Sequence, residues 1–238
     1  MVINSLCKVG RVFDAHKLFE ESIYRGVTFD TVAYNVLIDG LCKADCYHMA
    51  WNLFKEMKTL SHTPDIFTYN SFSDTLGKVG NMDEAFRLLG EMRARGCKMD
   101  TITCNTLISG LVKVNKVDDA LGLYDDMMEN GCPPSPCTYC PLIDGLGRAG
   151  RVDEAKDLFM EMTKSGCMPG CSSYISLMNP FRQVGSVDDV YKLFSRMVAE
   201  GIKPDLQSYY SLIDSLYIKG RIDDSLHFFE ELKTHYLK

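Results

Sequence analysis

The chain repeats itself every 35 residues, and this recurrence restricts its possible folds more than any other feature. VAYN at 32–35, FTYN at 67–70 and ITCN at 102–105 stand in one register. With Thr31 as slot 1, full units run over 31–65, 66–100, 101–135, 136–170 and 171–205. A nearly complete last unit covers 206–238, and residues 1–30 match slots 6–35 of a partial unit. A period of roughly 20 to 50 residues indicates supersecondary units stacked in a row, because no single unit can bury its own apolar face. Residues 1–238 therefore read as one repeat array, and because Met1 falls inside an expected helix the sequence reads as a fragment or a truncated open reading frame.

Each unit carries two helical periods. Slot 4 is Tyr34, Tyr69, Cys104, Tyr139, Tyr174 and Tyr209; slot 7 is Leu37, Phe72, Leu107, Leu142, Leu177 and Leu212; slot 11 is Leu41, Leu76, Leu111, Leu146, Phe181 and Leu216. Steps of three and four place these on one helix face. A second helix repeats the logic, with a small residue at slot 20 (Ala15, Ala50, Ala85, Ala120, Ala155, Val190, Ser225) that lets neighbouring helices approach closely. Between them, slot 15 holds Gly10, Asp45, Gly80, Asn115, Gly150, Gly185 and Gly220, the residue types that tolerate a left-handed backbone and end a helix. Asp83, Asp118, Asp153, Asp188 and Asp223 then open the second helix, where a carboxylate is expected to cap free amides and suit the positive end of the dipole. Pro64, Pro134, Pro169 and Pro204 close their units. Pro180 falls inside a first helix and predicts a kink. The expected fold is all-α, a solenoid of helix-turn-helix repeats.

Bulk properties exclude several classes. The net charge is -6 at pH 7, against a protein that grips nucleic acid by bulk positive potential, although a local basic stripe remains compatible with it. No apolar run is long enough to span a membrane, and the start MVINSLCKVG resembles neither a signal peptide nor an Arg/Ser-rich transit segment. The 10 cysteines fall mostly at repeated slots of a chain too long to need a disulfide framework, so reduced, mostly buried thiols are expected.

The pattern of VAYNVLIDGLCKADCYHMAWNLFKEMKTLSHTPD, with neighbours ending CKMD and GIKPD, resembles the pentatricopeptide repeat family, in its members built only from 35-residue units. The resemblance covers essentially the whole chain and rests on many slots in fixed register. It implies a right-handed superhelical α-solenoid that binds single-stranded RNA, each repeat reading one base with two or three side chains. It further implies that slots 5 and 35 contact the base edge and slot 2 its face, Asn with Asp going with uracil and Asn with Ser going with cytosine. Carried over, Val32, Asn35 and Asp65 form one uracil reader and Phe67, Asn70 and Asp100 a second, while Ile102, Asn105 and Ser135 form a cytosine reader. The readable core is then 5'-UUC-3', with Asn70 as an exposed reading head behind the buried Tyr69. Slot 5 of the later units is Cys140, Ile175 and Tyr210, which cannot reproduce amide recognition. Slot 13 supplies Lys8, Lys43, Lys78, Lys113 and Arg148 as a possible phosphate stripe, but Asp39, Asp74 and Asp144 stand four residues before Lys43, Lys78 and Arg148 as intrahelical partners. The resemblance also implies action on mitochondrial or chloroplast transcripts, in their stability, processing or translation.

Other chemistries are weaker fits. CTYC at 137–140, with Cys132, Cys167 and Cys171 nearby, has metal-ligand spacing, but these cysteines occupy ordinary repeat slots and no metal or cofactor is expected. The five histidines are scattered, and neither a deaminase signature nor a phosphate loop nor a nucleophile elbow occurs, so catalysis is not expected. The rival is a scaffold for a protein or peptide, since fold does not fix function. The register of Asn35, Asn70 and Asn105 with Asp65, Asp100 and Ser135 favours RNA, and its failure in the later units sustains the rival.

Overall fold

The structure, a computed structural model, describes residues 2–236 apart from 80 and 98, with only the backbone described at 74, 77–79, 82, 235 and 236. Among the described residues every regular element is a helix. The first helices of successive pairs are α1 (Val2–Lys8), α3 (Thr31–Lys43), α5 (Ile66–Val79), α7 (Thr101–Lys113), α9 (Pro136–Arg148), α11 (Cys171–Gln183) and α13 (Leu206–Ile218). The second helices are α2 (Val12–Tyr24), α4 (Tyr47–Thr59), α6 (Met82–Ala94), α8 (Val117–Glu129), α10 (Val152–Lys164), α12 (Val187–Ala199) and α14 (Ile222–Tyr236). From α3 onward the first helices begin 35 residues apart.

The chain falls into two compact units, residues 1–110 and 111–238. Within the first, α3 packs on α1, α4 and α5; within the second, α9 packs on α8, α10 and α11, and α11 on α12 and α13. First helices thus lie side by side, each backed by its own second helix, which is the arrangement of a helical-repeat solenoid.

The turn chemistry sets this spacing. Gly10, Gly150, Gly185 and Gly220 have φ between 73° and 79°, and Asp45 and Asn115 have φ of 57° and 61°, so slot 15 is the left-handed terminator its composition indicates. Gly80 lies outside the described residues. A second left-handed turn closes the pairs before the last at slot 31, where Ser61 takes φ 63° and Gly26, Gly96, Gly131, Gly166 and Gly201 fill the others. The core is the predicted stripe: Tyr34, Tyr69, Tyr139 and Tyr174 are fully buried, as are Ala15, Ala50, Ala120 and Ala155 against them. The tyrosine hydroxyls are not wasted, since Tyr34, Tyr69 and Tyr209 donate to Glu56, Glu91 and Glu231 in their own second helices at 3.3, 3.3 and 2.7 Å.

Two expectations need correction. The aspartates of slot 18 do not cap: the second helices start at slot 17, the N-cap is slot 16, and Asp118 and Asp188 instead accept from Arg151 and Arg221 of the following repeat at 2.5 and 3.4 Å. None of the ten cysteines forms a disulfide, but only Cys42 and Cys104 are buried, while Cys137 is exposed and the rest are half-buried. Pro180 does not interrupt α11, which runs unbroken over 13 residues. The proline is buried against Gly147 of α9, where an added Cβ would lie 2.0 Å from its Cγ.

Candidate functional site

Asn35 and Asn70 sit on α3 and α5, one residue beyond the buried Tyr34 and Tyr69, and each meets the start of the next first helix. There the slot-35 aspartates act as N-caps. Asp65 Oδ1 accepts from the Thr68 N–H at 3.1 Å and Asp100 Oδ1 from the Thr103 N–H at 2.8 Å, and Asp30 and Asp205 cap α3 and α13 in the same way. The caps hold the carboxylates where the preceding repeat's amide can reach them. Asn35 Nδ2 donates to both oxygens of Asp65 at 3.0 Å, and Asn70 Nδ2 donates to Asp100 Oδ2 at 3.0 Å.

The other end of each amide is also held. The Thr68 hydroxyl reaches Asn35 Oδ1 at 2.5 Å and Asp65 Oδ1 at 3.0 Å, and the Thr103 hydroxyl reaches Asn70 Oδ1 and Asp100 Oδ1, each hydroxyl proton being shared between its two acceptors. Both threonines occupy slot 3 and are buried. Slot 3 was not singled out by the sequence reading. The available signal was its run of hydroxyls, Thr68, Thr103, Thr138, Ser173 and Ser208, on a face otherwise apolar. Burial alone would push the Asp100 carboxyl up, but hydrogen bonds from the Thr103 N–H and hydroxyl and from Asn70 outweigh it and hold the group below the usual carboxylate range. Asp100 is therefore an ionised, acceptor-only group at neutral pH.

These contacts change the expected exposure. Asn35 is only 5% exposed and Asn70 is half-buried, so neither is an open reading head. The slot-2 side chains, in contrast, stand out: Val32, Phe67 and Ile102 are 64%, 49% and 69% exposed. Phe67 and Ile102 line one cleft of about 260 Å³ with Asn70, Ser71, Asp39, Cys42 and Lys43. Two apolar side chains of successive repeats thus share a slot with an amide, a carboxylate and a lysine.

The third predicted reader divides between the two units. Asn105 is half-buried in the first, and Ser135 is the N-cap of α9 in the second, its N–H donating to Thr138 Oγ1 at 3.0 Å. Further along, the Cys140 thiol lies 3.2 Å from the Ser173 hydroxyl. In the repeat after the one that carries Ile175, the Ser208 hydroxyl donates to the Asp205 backbone carbonyl at 2.8 Å. Tyr210 carries the Arg182 guanidinium over its ring at 5.9 Å. None of these three slot-5 side chains offers an amide.

The cations differ among themselves. Lys43 is bonded to Asp39 at 2.7 Å, and Arg148 pairs with Asp144 at 3.1 Å while donating to the Val112 carbonyl. Lys113 is exposed and, among the described residues, pairs with no carboxylate, as expected from Ser109 standing four residues before it. Lys78 and Asp74 lie outside the described side chains. No group of three or more His, Cys, Asp or Glu among the described residues is placed to hold a metal ion.

Comparison with known proteins bears on this arrangement. The profile described as the PPR repeat family matches residues 1–43, 29–78, 74–113, 99–148 and 137–183, and that described as the PPR repeat matches 172–202 and 207–237. No curated protein matches the sequence. Among solved structures, the maize pentatricopeptide repeat protein PPR10 is 29% identical and superposes with a TM-score of 0.72 over 98% of this chain and 33% of its own. PPR10 in complex with an 18-nt psaJ RNA element gives 27% identity and a TM-score of 0.65, covering 99% of this chain and 38% of that one. The PPR domain of Arabidopsis thaliana protein-only RNase P 1, in complex with tRNA, is similar in fold at 18% identity and a TM-score of 0.63, over 72% of this chain and 90% of its own. The chain spans about a third of the length of PPR10. With the family profiles matching unit after unit and the helix pairs stacked as described, this chain belongs to the pentatricopeptide repeat family.

Proposed function

We propose that the chain is a non-catalytic protein that binds single-stranded RNA, with a base entering between the slot-2 side chains of successive repeats. The observation that carries this reading is the cleft between Phe67 and Ile102 with the Asn70 amide in its wall. A nucleobase is flat and apolar on its faces and polar on its edge, and the cleft supplies both surfaces. Stacking on an aromatic side chain is worth about 1 to 3 kcal/mol per base. The edge chemistry suits uracil: its N3–H needs an acceptor, which the ionised Asp100 and the Asn70 carbonyl provide, while the N3 of cytosine would meet a carboxylate as acceptor against acceptor. For the third reader, Asn105 with Ser135, the family resemblance supports cytosine. Support for RNA as the ligand class comes from PPR10, whose structure with an RNA element is similar to this chain. The proposed readable core is 5'-UUC-3', read one base per repeat by slots 2, 5 and 35, within transcripts of a mitochondrion or chloroplast.

A scaffold for a peptide or protein is the competing reading. It draws on the second unit, where Cys140, Ile175 and Tyr210 replace the amide and where Leu206, Tyr210, Ile213, Phe229 and Leu232 line an apolar cleft of about 700 Å³. Selection from a randomised RNA pool at a stated salt concentration separates the two. RNA reading is expected to enrich UUC, and Phe67→Ala is expected to weaken binding of the enriched RNA by about 5- to 150-fold. An unenriched pool, or an affinity untouched by Phe67→Ala, refutes the RNA reading.

A further inference from the structure

Slot 3 of each full repeat from 66 onward carries a buried hydroxyl. Its behaviour depends on the residue opposite. Facing Asn35 and Asn70, the Thr68 and Thr103 hydroxyls donate to the amide oxygen. The Ser173 hydroxyl contacts the Cys140 thiol, and where the preceding slot 5 is Ile175 the Ser208 hydroxyl donates to the Asp205 backbone carbonyl. The Thr68 hydroxyl accepts from the Asp65 N–H at 3.1 Å, and its proton is left to Asn35 Oδ1 and, at 3.0 Å, Asp65 Oδ1.

We propose that Thr68 and Thr103 are positioning residues that fix the orientation of the preceding repeat's asparagine amide and thereby set which pyrimidine that repeat accepts. The proposal rests on the base reading advanced above and adds to it. An asparagine side chain has two planar orientations that exchange its donor and its acceptor. Uracil offers N3–H and then O4 along its edge, whereas cytosine offers N3 and then an amino group, the reverse order. Turning the amide over therefore exchanges the pyrimidine it matches. In this chain the amide is held from both sides: the acceptor-only Asp100 faces Nδ2 and the Thr103 hydroxyl faces Oδ1. Removing the hydroxyl leaves only the carboxylate to define the order and leaves the Asn70 oxygen without its donor. A contact of this kind has a net worth near that of one hydrogen bond, which corresponds to about a fivefold change in an equilibrium ratio.

The test uses two unstructured RNAs that differ only in U or C at the nucleotide facing residues 66–100, titrated at one salt concentration. The wild-type protein is expected to prefer U. Thr103→Val is expected to lower the U-to-C affinity ratio about fivefold, and Thr103→Ser, which keeps the hydroxyl, to retain the wild-type ratio. A wild-type ratio in Thr103→Val overturns the proposal while leaving base reading intact. An equal fall in Thr103→Ser and Thr103→Val also overturns it, since methyl packing would then be the cause. A wild-type protein with no preference at that nucleotide overturns base reading and this proposal together. Without RNA, the Asn70 carboxamide proton shifts, which report their hydrogen-bonded surroundings, should move in Thr103→Val and stay near wild type in Thr103→Ser, and identical spectra in all three proteins refute the clamp. Thr103→Ala carries the same comparison should the valine variant be poorly folded.

Discussion

Gly147→Ala offers a direct measure of how closely first helices must approach in this solenoid. A Cβ at position 147 would stand 2.0, 2.7 and 3.1 Å from Cγ, Cβ and Cδ of Pro180. The proline ring cannot swing aside as a flexible side chain would, so α9 and α11 must separate by more than an ångström along a buried seam. Overpacking of a close-packed core costs about 1 to 3 kcal/mol, and a rigid ring places this site at the upper end. Alanine recovers about 1 kcal/mol of helix propensity over glycine. The net destabilisation is then roughly 2 kcal/mol, a downward shift of about 1 M in the urea midpoint at a slope of about 2 kcal/mol/M. Gly122→Ala in α8 is the control, because nothing lies within 4 Å of its added Cβ and only the propensity gain remains. Urea titrations followed by far-UV circular dichroism and tyrosine fluorescence would compare the variants, with coincident transitions required before midpoints are converted to energies. Gly147→Ala,Pro180→Ala should regain part of the loss. A Gly147→Ala protein with a midpoint at or above wild type would refute the argument.

Two further outcomes follow from the charged groups. Because the folded-state value of Asp100 lies below its unfolded value, its contribution is complete above the unfolded value and is lost as pH falls through the folded one. Stability should accordingly drop on acidification below about pH 4, and Asp100→Asn should flatten that limb of a urea-midpoint profile; an unchanged limb would contradict the assigned hydrogen bonds. Lys113→Gln should reduce the salt slope of RNA binding by about 1, whereas Lys43→Gln should reduce it less because Lys43 already neutralises Asp39, and equal reductions would place both lysines equally on phosphates.

The sequence disclosed the fold in detail because a repeated slot averages out accident. Slot 15 varies among Gly, Asp and Asn, and only a left-handed turn explains all three together. The burial of slots 4, 7 and 11 was legible for the same reason. Asp118 and Asp188 show where such reading fails: an acidic residue near a helix start fits both a cap and an ion pair, and only placement shows that Arg151 and Arg221 of the next repeat claim them. The candidate site was legible as a set of residues but not as a geometry. Asn35 and Asp65 are 30 residues apart, and nothing local indicates that they bond to each other. Thr68 and Thr103 escaped notice because a buried threonine near a helix start has an ordinary explanation as part of the cap. Its second contact, to the preceding asparagine, exists only once the hairpins stack.

The circuit from Asn70 through Asp100 to Thr103 begins inside one hairpin and finishes three residues into its successor. The structural module and the chemical module are therefore out of phase. Genetic exchange that cut at each helix start would transplant whole hairpins yet strand every amide beside a foreign hydroxyl, while a crossover just past the buried threonine would move the complete assembly. A junction there keeps each amide with its carboxylate and its hydroxyl, while the slot-2 side chain of the same reader stays with the preceding piece.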